Sequence, residues 1–377
     1  MLTHDLERVE TVELIPSMTE VARIFAPWNG NLLEDPRHHL IINDGRNHLH
    51  LTDRTYDVIV SEPSNPWIAG VGSLFTREFF KLTKERLNPG GVVCQWVQLY
   101  QFSEDDFRTV LGTFADAYPY IHLWEGASGD VILVCSEEPL SLSRDTFERA
   151  LRGRPGVDIA DLEILPEAQV LSRFVTDREG IVRYLNGWTK RVTDDNLYLE
   201  FAVPRHMAKV KAPLTHLTLA SVRKPITTAL DAAWQPDSAF VGDVERYRLA
   251  RSTTLRVLTG GTLPPGTSSP TDALWSALRT APLELQTRHE ISRRLNAEAI
   301  TELTSGRVQK ATQLLNLVIE SGDRGERAMA WNNLGTVAFR AGGLDSARAY
   351  WESALQAQPA FSTVSYNLAL VQAMNDN

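Results

Sequence analysis

The sequence is poor in cysteine. Only two occur among 377 residues, Cys94 and Cys135, and both lie inside apolar runs. Two such residues predict buried, reduced thiols rather than a disulfide framework or a cysteine-rich metal centre. We therefore expect a reducing compartment, with the cytoplasm as the default location, and no bound metal.

Long apolar runs and an excess of positive charge are also missing. No run approaches the roughly 20 apolar residues that span a bilayer, and residues 1–10 lack the apolar core of a signal peptide. The formal net charge is −9 and the sequence pI is about 5.6. This balance argues against general binding to nucleic-acid phosphates and suits small cationic partners. The sequence therefore predicts a soluble chain with no nucleic-acid partner.

Strand-like and helix-like segments alternate through the first third of the chain, which is the pattern of a parallel α/β sheet. The predicted strands are residues 9–15, 39–44, 56–62, 91–99, 120–126 and 130–136. The predicted helices are residues 17–28, 74–87 and 103–118. Ser103 precedes an acidic first turn and is therefore a predicted N-cap.

The rest of the sequence is mainly helical. Residues 137–205 have mixed, mostly helical patterning, and the segment TGGTLPPGTSSP, 259–270, has the Gly, Pro and Ser content of a linker. We therefore expect an α/β domain with a helical extension over residues 1–210. A helical connector and linker over 211–270 and helical repeats over 271–377 complete the predicted organisation.

Residues 328–359 have the spacing of a tetratricopeptide unit, in which small residues lie where two helices cross and large residues fill the space between them. The matching positions are Trp331, Leu334, Gly335, Ala338, Ala347, Trp351, Ala354 and Pro359. Residues 306–321 and 361–374 have the pattern of flanking half-repeats. A plain helical cap on the α/β domain is the alternative. A repeat array would offer a concave groove to a protein partner.

Three consecutive predicted strands end in acids, at Glu13, Asp44 and Glu62. Ligands of open parallel sheets bind beyond the carboxyl ends of the strands, so these acids predict a cleft there. Glu13 is placed to accept both ribose hydroxyls of a nucleoside. Asp44 is placed to accept from the exocyclic amine of a base while Gly45 lets the ring approach the backbone. Ser61 is a further cofactor-binding candidate; the alternative role for each acid is a helix cap.

Four segments in this order resemble one known family. They are VELIPSMTEVARIF (12–25), DPRHHLIINDGRNHL (35–49), YDVIVSEPSNPW (56–67) and SLFTREFFKLTKERLNPGGVVCQW (73–96). Together they are similar to the core of the spermidine synthase family, the polyamine aminopropyltransferases. The resemblance covers roughly residues 9–136 and implies a Rossmann-like sheet of the methyltransferase type. The segment TDDNLYLEF, 193–201, resembles a part of larger spermidine-synthase-like proteins, some of which carry membrane-spanning helices.

The resemblance implies transfer of an aminopropyl group from decarboxylated S-adenosylmethionine to a polyamine acceptor. Glu62 stands where family members have an aspartate that acts as the base, and Asn65 stands where they have a second aspartate. Gln95 matches a glutamine of the family and is a candidate to orient the amine or the nucleoside, with a satisfied buried amide as its alternative role. Asp194 and Asp195 are candidates to restore negative charge to the amine site, with a turn or helix cap as their alternative role. The residues 63–70 would form a lid or wall over the site.

One expected element of the family is missing. The resemblance implies a first apolar strand and a Gly-rich turn, in the sheet between the strands at 9–15 and 56–62, and no such segment occurs near the start of this sequence. Either Met1 is internal to a longer chain, which could also carry membrane helices, or the short form is an impaired or non-enzymatic derivative. We favour the longer chain, because losing a central strand leaves the backbone groups of both neighbours unpaired.

Two other functions fit parts of the sequence. The first is a methyltransferase that uses intact S-adenosylmethionine, since the strand-end acids fit either cofactor. The second is a non-catalytic scaffold, in which a degenerate Rossmann domain carries a tetratricopeptide groove for a partner peptide. The acceptor amine, the oligomeric state and the identity of that partner do not follow from the sequence.

Overall fold

The computed structural model describes residues 2–126, 129–164, 167–207, 219, 221–234 and 238–375. The chain divides into two compact units: residues 1–162 with 170–245, and residues 163–169 with 246–377. The domain boundary that the sequence predicts near residue 210 lies outside the described residues. Within the described ranges, every helix is too short or too polar to cross a bilayer.

The strands predicted over residues 9–136 are all present, and helices lie in each of the three predicted helical segments, whereas a helix at residues 45–51 was not predicted. The strands are β1 Val9–Glu13, β2 His38–Ile42, β3 Tyr56–Ser61, β4 Leu87–Gln98, β5 Tyr120–Glu125, β6 Asp130–Ser136 and β7 Phe174–Asp177. The helices are α1 Met18–Ile24, α2 Ala26–Asn29, α3 Gly45–Leu51, α4 Arg77–Glu85, α5 Glu104–Ala117, α6 Arg144–Arg152, α7 Arg154–Asp161, α8 Glu167–Leu171, α9 Arg178–Leu185 and α10 Tyr198–His206. Short 3₁₀ turns occupy Leu32–Glu34, Val71–Phe75, Ile226–Thr228 and Ala232–Trp234.

The prediction of a parallel sheet is confirmed only in part. The strands form a parallel pair, β1–β2, and a separate five-stranded sheet in the order β3-β4-β6-β5-β7. In the larger sheet only β3 and β4 are parallel neighbours, and the other neighbours are antiparallel. The connection between β5 and β6, residues 126–129, is only four residues long. It accounts for the antiparallel pairing of these two strands, because a parallel crossover needs a dozen or more residues whereas a hairpin needs few. The strand β7 was not predicted from the sequence.

The division between the sheets falls between β1 and β3, where the family resemblance places the missing strand. The strand β3 is therefore an edge strand, and its Val58 and Val60 are 39% and 49% exposed. A strand inside an α/β sheet is normally covered on both faces. Helices α1 and α2, which connect β1 to β2, bury none of their residues. This side of the unit is thus thinly packed.

The five-stranded sheet holds the main core of the unit. Phe80 of α4 and Phe114 of α5 are fully buried, and their rings stack with centroids 3.9 Å apart. Both pack in one hydrophobic cluster with Val93 and Val97 of β4. Helix α5 begins at the predicted N-cap, Ser103, which forms a complete capping box with the first turn. One face of β4 therefore packs against helices α4 and α5 up to Val97, near the carboxyl end of the strand.

The chain from residue 238 to 375, which includes most of the second unit, is built from consecutive helices. They are α11 Ser238–Thr259, α12 Pro270–Thr280, α13 Leu285–Thr304, α14 Val308–Ser321, α15 Arg324–Arg340, α16 Leu344–Ala357 and α17 Ser362–Asn375. The helices predicted at 306–321 and 361–374 are confirmed, and the predicted linker is the loop between α11 and α12.

Helices α15 and α16 cross closely, because a Cβ atom built on Gly335 would lie 2.4 Å from Nε1 of the buried Trp351. Only glycine fits at this crossing, as the spacing of the sequence pattern implies. Trp331 is half-buried and its ring stacks on Tyr350. The assignment of these helices to the tetratricopeptide class stays a prediction.

Candidate active site

Glu62 follows directly on the last residue of β3, Ser61, and its side chain is exposed. Burial raises the pKa of the Cys94 thiol in the neighbouring strand β4, and the charge of Glu62 raises it further. The register of the two strands pairs Val60 with Cys94 and Ser61 with Gln95.

Alternation along β4 separates two of the predicted site residues. Cys94, Trp96 and Gln98 lie on one face of the strand and Gln95 lies on the other, since successive side chains of a strand point to opposite faces. Gln95 is fully buried; its Nε2 donates to the backbone oxygen of Trp96 at 3.1 Å, and its Oε1 has no partner among the described residues. Glu62 lies two residues beyond Val60, which pairs with Cys94, so strand alternation puts it on the face that carries Trp96.

The residues that follow Glu62 are held by aromatic contacts. The hydroxyl of Tyr100 donates to Oδ1 of Asn65 at 3.2 Å. Trp67 contacts Tyr100 and the buried Phe102 edge-on, with ring centroids 6.4 and 6.2 Å apart. These contacts hold the loop after β3 against the segment after β4. They favour a wall over a mobile lid for the residues that follow Glu62.

A residue that the sequence did not single out holds the far end of this loop. Oε1 of Glu200, in α10, accepts from the backbone N–H of Gly70 at 2.8 Å. A Cβ atom on Gly72 would lie 2.8 Å from Cγ of the same glutamate, so the backbone passes close to it. Glu200 belongs to the segment 193–201 that carries the family resemblance, and this is the signal that could have identified it.

Asp194 is engaged in an ion pair. Arg46, in α3, donates to both of its carboxylate oxygens, at 2.7 and 2.5 Å. The hydrogen bond from Arg46 outweighs the opposing effect of burial and holds the pKa of Asp194 below its ordinary value. The structure thus uses Asp194 to fasten the 193–197 turn to α3, whereas Asp195 is exposed in that turn.

Glu13 and Asp44 lie at the same edge of the two-stranded sheet. Glu13 ends β1, its Oε1 accepts from the N–H of Ile15 at 2.8 Å, and its backbone oxygen accepts from Asn43 at 3.1 Å. Asp44 caps α3 by accepting from the N–H of Asn47 at 2.7 Å, so its capping role is confirmed. A Cβ atom on Gly45 would meet nothing within 4 Å, so the space beside it is open.

A polar cluster, unforeseen in the sequence, joins the two sheets at the opposite edge. Tyr56 at the start of β3 donates to Oε2 of Glu10 in β1 at 2.8 Å, and His48 lies 3.0 Å from the same hydroxyl. Burial opposes ionisation of Glu10, but hydrogen bonds from Tyr56 and Arg8 and the charges of Arg8 and Arg54 lower its pKa. The two sheets are therefore joined near the amino ends of β1 and β3 through the Glu10 carboxylate.

Comparison with known proteins finds similarity in the first third of the chain. Residues 1–125 match the family described as the spermine/spermidine synthase domain. The polyamine aminopropyltransferase of Escherichia coli is 37% identical over 89 residues, 23% of this chain and 31% of that protein. The chain thus aligns with about a third of the length of this curated relative.

Solved structures of similar proteins include a spermidine synthase from Thermotoga maritima, which is 21% identical with a TM-score of 0.32 and covers 36% of this chain and 48% of its own. A probable spermidine synthase from Corynebacterium glutamicum is 17% identical with a TM-score of 0.34. The match covers 49% of this chain and 63% of the length of that protein.

The stretch that matches the spermine/spermidine synthase family contains most of the residues described around Glu62. One neighbour lies just beyond the matched stretch: Asp130 at the start of β6, whose Oδ2 accepts from Nε1 of Trp96 at 3.0 Å. The ring of Trp96 in turn lies 6.5 Å from that of Tyr100. Trp96 therefore connects the carboxylate of Asp130 with the aromatic side chains that hold the loop after Glu62.

Proposed function

We propose that this protein transfers an aminopropyl group from decarboxylated S-adenosylmethionine to a polyamine acceptor. The observation that carries the proposal is the position of Glu62, an exposed carboxylate at the carboxyl end of β3 inside a spermidine synthase domain. The domain match supports the reaction class, and the geometry around Glu62 supports the assignment of the base.

In this reaction the acceptor amine first loses a proton to Glu62, because a protonated amine has no lone pair with which to attack. The lone pair then forms a bond to the propyl carbon beside the sulfonium. The carbon–sulfur bond breaks, and its electron pair goes to sulfur, which becomes a neutral thioether. The products are the amine lengthened by one aminopropyl group and the thioether nucleoside.

The nucleoside part of the co-substrate would bind at the edge of the two-stranded sheet. Glu13 offers one carboxylate oxygen to the ribose, since only Oε1 is used by Ile15 in the contacts above. Asp44 keeps acceptor capacity beyond its cap, and the open space at Gly45 suits a flat base. Ser61, the last residue of β3, directly precedes Glu62. It is proposed to contact the same co-substrate.

The proposed acceptor is a small cationic amine. Asn65 is neutral where family members have an aspartate, so one negative charge near the base is absent. Its side-chain oxygen accepts a hydrogen bond from Tyr100. Gln95 lies on the covered face of β4, so its proposed contribution is to support the strand end rather than to touch the amine. A protein partner in the groove of the second unit is a separate proposal that rests on the repeat pattern alone.

The experiment that tests the proposal is a transfer assay on the full chain with decarboxylated S-adenosylmethionine and 1,4-diaminobutane. Glu62→Gln should lower the rate by about a hundred- to ten-thousand-fold, the usual cost of removing a general base. The matched control is Glu138→Gln, which removes the same charge from an exposed site just past β6 and should leave the rate unchanged.

Three results would contradict the proposal. Absence of transfer to any diamine or polyamine by the wild-type chain would favour the scaffold interpretation. Transfer of a methyl group from intact S-adenosylmethionine would favour the methyltransferase. Transfer at the wild-type rate by Glu62→Gln would leave the reaction in place and reject Glu62 as its base.

A further inference from the structure

A cleft of about 290 Å³ lies between one face of helix α10 and the segment that precedes the helix. Most of its lining side chains are basic or aromatic, and none of them is acidic: Lys190, Arg191, Asn196, Tyr198, Phe201 and Arg205. The formal net charge of the whole chain is −9. The cleft therefore concentrates positive charge in an otherwise acidic protein.

Helix α10 presents aromatic rings to this cleft. Leu199 and Val203 are fully buried on the inner side of the helix. Tyr198, Phe201 and Arg205 are three and four residues apart, so they lie together on another face. The ring of Phe201 is 60% exposed there. An apolar surface is thus available to the flat part of a ligand.

The opposite wall of the cleft is fixed on helix α5. Nε1 of Trp188 donates to Oγ1 of Thr109 at 3.0 Å, and the N–H of Val192 donates to Oγ1 of Thr113 at 3.0 Å. Helix α5 itself packs on the face of β4 that is opposite to Trp96. The segment that lines the cleft is therefore held on the side of the sheet away from the face that carries Trp96.

The three cations of the cleft differ in how they are compensated. Nε and Nη2 of Arg191 donate to the two carboxylate oxygens of Asp116 at 2.8 and 3.1 Å. Lys190 and Arg205 are exposed, and the part of the chain that the structure describes offers neither of them an acidic partner. Nζ of Lys190 lies 5.8 Å from the ring centroid of Tyr198. Two positive charges therefore stay uncompensated at the cleft.

Nearby acids are engaged elsewhere. Asp194 is bound by Arg46, and Glu200 accepts from the backbone of the loop after β3. Burial, and then the charge of Asp106, raise the pKa of Tyr198 to about 12. Asp106 in turn belongs to the capping box of α5. The positive charges of the cleft are therefore left for a ligand.

We propose that this cleft binds a small phosphate monoester that carries a flat apolar ring. A phosphate monoester carries a charge of about −1.5 to −2 at pH 7, which matches two free cations, whereas a carboxylate carries a single charge. The guanidinium of Arg205 can donate two parallel hydrogen bonds to phosphate oxygens, and Lys190 adds a point charge. The rings of Tyr198 and Phe201 pack against the ring of the ligand. This site does not depend on the proposed aminopropyl transfer.

The test is calorimetric titration of the full chain with phenyl phosphate, inorganic phosphate, phenol and benzoate. Phenyl phosphate should bind most tightly, because it alone combines the ring with the dianion. Arg205→Gln and Lys190→Gln should each weaken its binding by about 3- to 10-fold, since a charge-assisted hydrogen bond at an exposed site is worth less than a buried one. Phe201→Ala should lower its affinity to that of inorganic phosphate. Arg23→Gln, which removes the same charge from an exposed position on α1, is the matched control and should bind as the wild type.

Three results would overturn the inference. The first is a wild-type chain that does not bind phenyl phosphate. The second is equal affinity for phenyl phosphate and benzoate, which would show that the cleft does not select a dianion. The third is wild-type affinity in both Arg205→Gln and Lys190→Gln, which would place the ligand elsewhere. Because no co-substrate or amine takes part, loss of aminopropyl transfer would leave this site unaffected.

Discussion

The two sheets of the α/β unit differ sharply in how they are supported. The five-stranded sheet lies over a cluster of fully buried phenylalanines, whereas β1 and β2 form a sheet of two strands whose connecting helices bury nothing. Isolated two-stranded sheets are marginally stable in water. The apolar side chains of this region are correspondingly exposed, with Trp28 at 78% and Ile24 at 71%. The larger sheet is self-supporting, and the smaller one gains most from a ligand or a covering surface.

This difference divides the proposed site. The base Glu62 and the aromatic surface at Trp96 belong to the well-packed sheet, while the nucleoside candidates Glu13 and Asp44 belong to the thinly packed one. The only polar junction described above between the two sheets is the cluster of Glu10, Tyr56 and His48. We therefore expect the chemistry to depend on a rigid support and nucleoside binding to depend on ordering of the smaller sheet.

The largest expected effect is on stability, and it comes from replacing phenylalanine by alanine in each of the two regions. Phe114→Ala removes a fully buried ring and should lower the free energy of unfolding by about 3–5 kcal/mol. Phe25→Ala removes a ring that is 53% exposed beside α1 and should change it by less than about 0.5 kcal/mol. Urea unfolding followed by near-ultraviolet circular dichroism measures both. Equal costs would show that the smaller sheet is as well supported as the larger one.

The next effect concerns binding at the smaller sheet. Glu13→Gln should weaken binding of the thioether nucleoside by about 1.5–3 kcal/mol, because a hydrogen bond to a charged group is lost. Glu20→Gln, on the exposed surface of α1, is the matched control. Calorimetry with 5′-methylthioadenosine gives the comparison. If both variants bind as tightly as the wild type, Glu13 has no place in the nucleoside site.

The smallest effect concerns the junction of the sheets. The pKa of Glu10 is lower in the folded state than its ordinary value of 4.5. Its contribution to the free energy of unfolding is therefore present above pH 4.5 and is lost as the pH falls through the folded-state pKa. Tyr56→Phe removes one hydrogen bond to Glu10 and should cost about 1 kcal/mol at neutral pH and less in acid. Tyr120→Phe, at an exposed tyrosine, is the control. A cost that does not change between pH 7 and pH 3 would contradict this assignment.

Much of the fold follows from local patterns in the sequence. The alternation of strands and helices and the N-cap at Ser103 depend on neighbouring residues, and the structure confirms them. The parallel direction was mispredicted for several strands, because direction depends on connection lengths such as that of 126–129, which the periodicity of the strands does not report. The close helix crossing at Gly335 was predictable because a repeat pattern fixes which residues meet.

The site was predictable only in part. Acids at strand ends are visible in the sequence, but whether each is free or engaged depends on partners distant in the chain. Asp194 is bound by Arg46, 148 residues away, and no local signal shows it. Glu10, Glu200 and Asp130 were missed for the same reason, since their partners become neighbours only through folding. Gln95 was assigned without regard to the face of β4 on which it lies.

The central claim is that the nucleoside binds at the thinly packed sheet while the amine chemistry occurs at the well-packed one. Hydrogen exchange of the full chain with and without 5′-methylthioadenosine tests it most directly. The account predicts that the nucleoside slows exchange mainly in residues 9–15 and 38–51, and that residues 91–98, already protected by the core, change little. Protection confined to the larger sheet, or none in residues 9–15 under saturating nucleoside, would contradict it.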